Sequence, residues 1–271
     1  MIENEQLFLW SALLVYVIAG CTAVVTQVFH KKFEKTILFL MLTGLILHTI
    51  SLAVRWERLG HGPFNNMYEI LSSNIWSMML FFTIIFWRIP KIRPLSAVIL
   101  PGVFILFAWI IMIPAQDSYL PATYNTIWLF VHIGFGKIFM GALLIASALA
   151  FVIMFREAEV AMQFFSSLPV NKSLDELAYR FILLALVFDS LMLMAGAIWA
   201  QEAWGRYWDW DPLETWSFVS WLLLAFILHL RLAFRPGFIV SSVLTITVFF
   251  ISFVTFFGLP FISQVPHKGM V

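Results

Sequence analysis

Apolar residues in this chain gather into eight long runs, near residues 7–29, 36–54, 70–87, 95–113, 126–155, 177–199, 215–234 and 237–258. A helix needs roughly 20 such residues in succession to cross a hydrocarbon layer ~30 Å thick, so each run predicts a membrane-spanning helix. Just before the third run the pattern changes. After Gly62 and Pro63, the apolar residues Phe64, Met67, Tyr68, Leu71 and Ile75 recur at helical spacing, opposite Asn65, Asn66, Glu69, Ser72 and Ser73. That stripe predicts an amphipathic helix lying at the outer membrane interface. Ahead of the sixth run, Ser173 and Glu176 have the spacing of a capping box with Ser173 as N-cap. No repeat, low-complexity tract or soluble domain interrupts the series. The expected architecture is all-α: one polytopic membrane domain over residues 1–271, a bundle of about eight transmembrane helices with an outer amphipathic helix and a Trp-rich loop at about 200–216.

Composition removes the soluble alternatives. Hydrophobic residues make up 62% of the chain and charged ones 11%, whereas a soluble domain carries about 25% charged residues. Net charge is +1, so no nucleic-acid partner is expected, and the lipid bilayer is the surrounding medium. Glu3 and Glu5 stand where a signal peptide carries basic residues, which makes the first run a retained span. The single cysteine, Cys21, lies within that span, makes no intramolecular disulfide or zinc cluster, and reads as a small core residue.

Lys and Arg are enriched in short cytoplasmic loops, which orients the chain. Loops after spans one, three, five and seven hold Lys31, Lys32, Lys35, Arg88, Lys91, Arg93, Arg156, Lys172, Arg180, Arg231 and Arg235. The opposite side holds only Arg55, Arg58, Arg206 and Lys268. Both termini and the loop at 200–214 are therefore expected on the extracytoplasmic side.

Six of the 12 tryptophans, Trp199, Trp204, Trp208, Trp210, Trp216 and Trp221, cluster around that loop. An interfacial aromatic belt accounts for Trp199, Trp216 and Trp221, because indole rings favour the headgroup level. It does not account for WGRYWDWDPLE, where tryptophans alternate with Gly205, Arg206, Asp209, Asp211 and Glu214. Flat indole faces can stack on a large planar ligand whose carboxylate Arg206 would pair. The chemistry alone leaves two readings open, a planar-ligand platform and a rigid structural lid.

Depth sorts the histidines. His132 lies about 35 Å from the inner end of span five at 1.5 Å per residue, and the hydrocarbon core is only ~30 Å thick. It should emerge at the outer mouth, as should His267 beyond span eight. Two imidazoles beside an aromatic platform are what a six-coordinate haem iron needs, and a hydrogen-bonded surface histidine is the plain alternative for each. His48 and His229 lie within apolar spans, where ionisable groups are costly and functional by default. Counted from the inner side, His48 is about 18 Å deep and His229 about 8 Å, and a buried histidine bonded to a carbonyl is the alternative for both. His30 and His61 read as solvated. Lys137, Arg55 and Arg58 are placed to meet a ligand carboxylate, and Asp189 reads as a bond to a neighbouring helix or a group on a proton or haem path.

WGRYWDWDPLET, residues 204–215, resembles the WWD signature of the haem-handling protein family, W-G-x-x-W-x-W-D-x-x-E. Trp204, Gly205, Trp208, Trp210, Asp211 and Glu214 fill every fixed position. The D-P-x-E-T-W continuation is similar to the CcsA/ResC membrane subunits of the System II cytochrome c synthase, and the likeness extends to Gly62–Asn74 and to the residues around His267. Asp209 and Leu213 depart from the commonest pattern, where Gly and Lys are usual. The resemblance implies haem b as substrate and transient cofactor. Its iron would be held outside by His132 and His267, with a second intramembrane haem site at His48 and His229. It also implies a CcsB/ResB-type partner subunit, an apocytochrome c with a CxxCH motif as co-substrate, and a bacterial plasma membrane or a thylakoid membrane as location. A haem-delivery protein or haem transporter without lyase activity, and an electron-transfer cytochrome b, are the rival classes.

The charge asymmetry gives a direct test. A cysteine introduced at Tyr207 in a Cys21→Ser background should be labelled from outside intact cells or spheroplasts by an impermeant maleimide, and one introduced at Lys91 should not.

Overall fold

The eight expected spans are all helical in the computed structural model, which describes residues 2–156 and 159–259. In chain order the helices are α1 (Ile2–Val28), α2 (Glu34–Leu59), α3 (Met67–Arg88), α4 (Ser96–Met112), α5 (Ile127–Phe155), a short α6 (Glu159–Phe164), α7 (Asn171–Trp204), α8 (Pro212–Phe234) and α9 (Phe238–Phe253). A 3-10 turn at Pro90–Leu95 leads into α4, and a π turn at Val254–Gly258 continues α9. No strand occurs among the described residues, and the chain is an all-α, multi-pass membrane protein. Helices prevail because the bilayer core offers backbone amides no water, so each must be paired within its own segment.

The element ends differ from expectation in two places. The amphipathic stripe at 64–75 is not a separate interfacial helix but the entry to α3, which begins at Met67. Asn66 caps it, accepting from the Glu69 N–H while the Glu69 carboxylate accepts from the Asn66 N–H. The polar side of the stripe faces inward because Glu69 and Ser72 find partners there. The second difference is at α7, which starts at Asn171, so Ser173 and Glu176 lie inside its first two turns and form no N-cap.

Residues 1–119 with 158–169 form one compact unit and residues 120–157 with 170–271 another. In the first unit α1 lies along α2 and α4, α2 packs on α3, and α3 on α4. Small residues let such helices approach closely. A Cβ on Gly44 would stand 2.4 Å from the Tyr16 ring, so only glycine lets α2 meet α1 there.

One end of this unit is tied by buried charges. Arg55 of α2 donates from Nη1 to Glu5 of α1 at 2.7 Å and from Nε and Nη2 to Glu69 of α3 at 3.0 and 2.8 Å. Its Nη2 also donates to the Gln116 carbonyl at 2.6 Å, and its guanidinium lies over the Tyr68 ring. Arg58 adds bonds to Glu5 at 2.9 Å and to Asp117 at 2.6 Å, and the Ser118 hydroxyl donates to Glu69 at 2.6 Å. Glu5, Arg55 and Glu69 are each at most 2% exposed. Arg55 was expected to reach a ligand carboxylate and is instead committed to this network. His61, expected to be solvated, is buried with Nδ1 and Nε2 each 3.0 Å from a carbonyl, those of Gly62 and Ser118.

Removing one partner of a buried ion pair leaves an uncompensated charge. Arg55→Ala is expected to cost about 3–5 kcal/mol, read as a lowered unfolding midpoint of the detergent-purified protein. Arg58→Ala should cost less, because its partner Asp117 is 59% exposed.

Candidate functional site

In the second unit α5 and α7 run antiparallel along most of their length, and α9 packs on α5. His132, in the second turn of α5, donates from Nδ1 to the Met192 carbonyl of α7 at 2.9 Å. A carbonyl only accepts, so Nδ1 carries the hydrogen and the lone pair resides on Nε2. Glycine makes this seat. A Cβ on Gly196 would lie 2.7 Å from His132 Nδ1, and one on Gly136 would lie 3.0 Å from Met192 Sδ. The half-buried imidazole lies parallel to the Trp199 indole, at 13° and 6.2 Å between centroids. Trp199 in turn meets Trp204 edge-on at 4.9 Å, and Tyr124 meets both at 5.8 Å while its carbonyl accepts from Trp199 Nε1 at 3.0 Å.

The loop that follows is folded by its polar residues. Gly205 ends α7 in the left-handed region at φ 82°, its N–H donating to the Gln201 carbonyl. Asp211 is the N-cap of α8, accepting from the Glu214 N–H at 2.9 Å, and Pro212 takes the first helical position, where its missing N–H is no loss. The buried Glu214 carboxylate accepts from the Asp209 N–H at 2.8 Å, and Arg206 pairs with Asp209. Asp211, Pro212 and Glu214 were legible as a helix start by their spacing alone.

What remains for a ligand is the aromatic surface. Trp210 is 68% exposed and sits at φ 57°, a conformation that costs an L-residue roughly 1–2 kcal/mol. Strain of this kind concentrates at functional sites. Trp208 meets Trp210 edge-on at 5.7 Å and Phe218 at 6.3 Å, and its indole N–H is buried with no acceptor among the described residues. Behind them Phe218 stacks on Trp221, whose Nε1 donates to Ser190 at 2.8 Å.

Tertiary packing therefore joins His132 to Trp199, Trp204 and Tyr124, in the unit that also carries Trp208 and Trp210. His267 lies outside the described residues. His229 belongs to the same unit, exposed on α8. His48 belongs to the first unit, where it is fully buried, 3.0 Å from the Ser72 hydroxyl and beside the Tyr16 ring. No cluster of three or more His, Cys, Asp or Glu that would hold a metal by itself occurs among the described residues. Gly196, Met192 and Tyr124 had no signal in the sequence, since only the pairing of α5 with α7 gives them a role. The arrangement offers an oriented imidazole lone pair, aromatic faces and an unmatched N–H donor, which suits a broad planar ligand with a metal centre and an acceptor on its rim.

The chain resembles known proteins over most of its length. The chain matches the family described as "Cytochrome C assembly protein" over residues 4–267. "Cytochrome c biogenesis protein CcsA" of Prochlorococcus marinus (strain MIT 9515) is 30% identical over 272 residues, covering 89% of this chain and 85% of that protein. The protein of the same name from Chlamydomonas reinhardtii is 34% identical over 198 residues, 69% of this chain and 55% of its own length. Among solved structures, "Cytochrome c Heme Lyase CcmF" superposes with a TM-score of 0.69 at 17% identity, over 93% of this chain. The chain spans about half of that structure, 46%, and the likeness is one of fold.

If Asp211 acts by capping rather than through its charge, Asp211→Asn should preserve the loop, and Asp211→Ala should destabilise the start of α8 by about 1 kcal/mol. Hydrogen exchange of the amides at 213–216 would show the difference.

Proposed function

The chain belongs to the cytochrome c assembly protein family, and from that premise we propose that it presents haem, held at His132 and the tryptophan loop, for thioether attachment to apocytochrome c. A role in attaching haem during cytochrome c biogenesis is the family's. The observation that carries the proposed site is the setting of His132. Its Nδ1 is spent on the Met192 carbonyl, and its ring is aligned with Trp199, next to the loop of Trp204, Trp208 and Trp210. An imidazole fixed in this way is preorganised to offer Nε2 to a metal.

Haem b is the substrate in this reading. His132 Nε2 and His267 would hold the iron, the indole faces would support the porphyrin, and the Trp208 N–H, unmatched among the described residues, would donate to a propionate. Arg206 lies on the same loop but is paired with Asp209, and Arg55 belongs to the ionic network of the first unit. The reacting groups, two vinyls and the two thiols of a CxxCH motif, all come from the substrates, so the protein contributes position rather than acid-base chemistry. The histidine of that motif would replace one axial ligand of a ferrous iron. A CcsB/ResB-type subunit is the proposed partner. His48 and His229, one in each unit, are read as separate histidines on the inward haem route. In this reading, which the Lys and Arg distribution supports, the loop and both termini face the extracytoplasmic side of a bacterial plasma membrane or a thylakoid membrane.

Purified with its partner, the protein should carry a b-type haem spectrum, and its absence would refute the site. His132→Ala and His267→Ala should each lose holocytochrome formation and regain it with added imidazole. Normal maturation by both variants without imidazole would exclude them as axial ligands.

A further inference from the structure

Asp189, midway along α7, is 0% exposed, and neither of its carboxylate oxygens has a hydrogen-bond partner among the described residues. The other buried carboxylates are engaged: Glu5 and Glu69 by Arg55, Asp175 by Arg231, and Glu214 by the Asp209 N–H. Asp189 belongs to the buried stripe of α7 that continues through Met192, Ala195 and Trp199. Around it, the Phe188 ring meets Phe135 of α5 at 5.8 Å, and Met192 holds His132 through its carbonyl. Asp189 is thus one helical turn, ~4.5 Å along the axis, from the residue that orients the imidazole.

The helices packed on α7 carry few ionisable groups: His132 and Lys137 on α5, Glu214, His229 and Arg231 on α8, and none on α9. Glu214 is used in the loop, Arg231 is paired with Asp175 at the far end, and His229 is exposed. The groups at Asp189's depth are therefore His132 and Lys137.

We propose that Asp189 is a proton-binding site coupled to the charge of the iron at His132, ionised when the iron is oxidised and neutral when it is reduced. The proposal rests on the haem reading above. An ionised carboxylate without a partner is disfavoured in an apolar interior, so the neutral acid fits the site as it stands. An oxidised iron on His132 adds a positive charge nearby, and in a medium of low dielectric its attraction favours the carboxylate. The balance is one for one. If a one-electron reductant reduced ferric iron held there to ferrous, the Asp189 carboxylate would take one proton from water and become the neutral acid.

The test is a redox titration of the haem-loaded protein, purified as full chain with its partner, using dithionite and mediators over a series of pH values. The midpoint potential should fall as pH rises, with one proton taken up per electron over part of the range. Asp189→Asn should keep the optical spectrum and make the potential independent of pH, and Asp189→Glu should restore the dependence. A pH-independent wild type, an Asp189→Asn variant that keeps the wild-type dependence, or a loss of dependence in Lys137→Gln alone would overturn the proposal. If Asp189→Asn fails to load haem, Asp189→Glu decides: a haem-loaded variant with pH-independent potential overturns it, and a retained dependence supports it. Absence of a haem spectrum in the wild type is a different outcome, since it overturns the haem reading itself.

Discussion

A backbone amide inside a bilayer has no water to bond, and each one left unpaired there costs several kcal/mol. Eight helices long and apolar enough to cross are the direct consequence. The constraint also decides where the chain is permitted to do anything else. Its irregular stretches lie between helices, and their ends are closed with care. Gly60 and Gly205 end α2 and α7 in the left-handed region, and Asn66 and Asp211 begin α3 and α8 with side-chain caps. The segment from Gly205 to Asp211 is one of these licensed departures from the helix, and it holds the aromatic surface.

The same medium sorts the polar side chains. Burying a charge is tolerable only when it is paired and its remaining donors and acceptors are met. Arg55 satisfies that rule with two carboxylates and a carbonyl, and its network fastens three helices and the segment after α4 within the first unit. Several buried polar groups are left without a partner among the described residues, and in the second unit Asp189 and the Trp208 N–H are two of them. Groups left unsatisfied where burial makes them expensive are candidates for function.

Within the tryptophan loop, shape and surface are separate tasks. Gly205, Asp211, Pro212 and Glu214 set the path of the backbone, while Trp208 and Trp210 are what that path displays. The positive φ of Trp210 shows that this path costs energy at one tryptophan, held in place by the caps on either side. His132 is prepared in a comparable way. Two glycines, Gly136 and Gly196, remove the side chains that would otherwise fill its seat and that of Met192.

The sequence by itself determined the all-α membrane class and the number of spans, and it marked the tryptophan loop as a candidate site, because hydrophobic run length and the spacing of WGRYWDWDPLE are one-dimensional properties. It also singled out His132, by depth alone. Only the tertiary structure decided what the polar residues do, because a partner can lie anywhere along the chain. Glu5 meets Arg55 across 50 residues, His132 meets Met192 across 60, and His61 turns inward to Ser118 across 57. The amphipathic stripe after Pro63 shows the same limit. Its polar face pointed to water when read alone, and in the fold it points to Arg55 and His48, which supply the partners that water would have supplied.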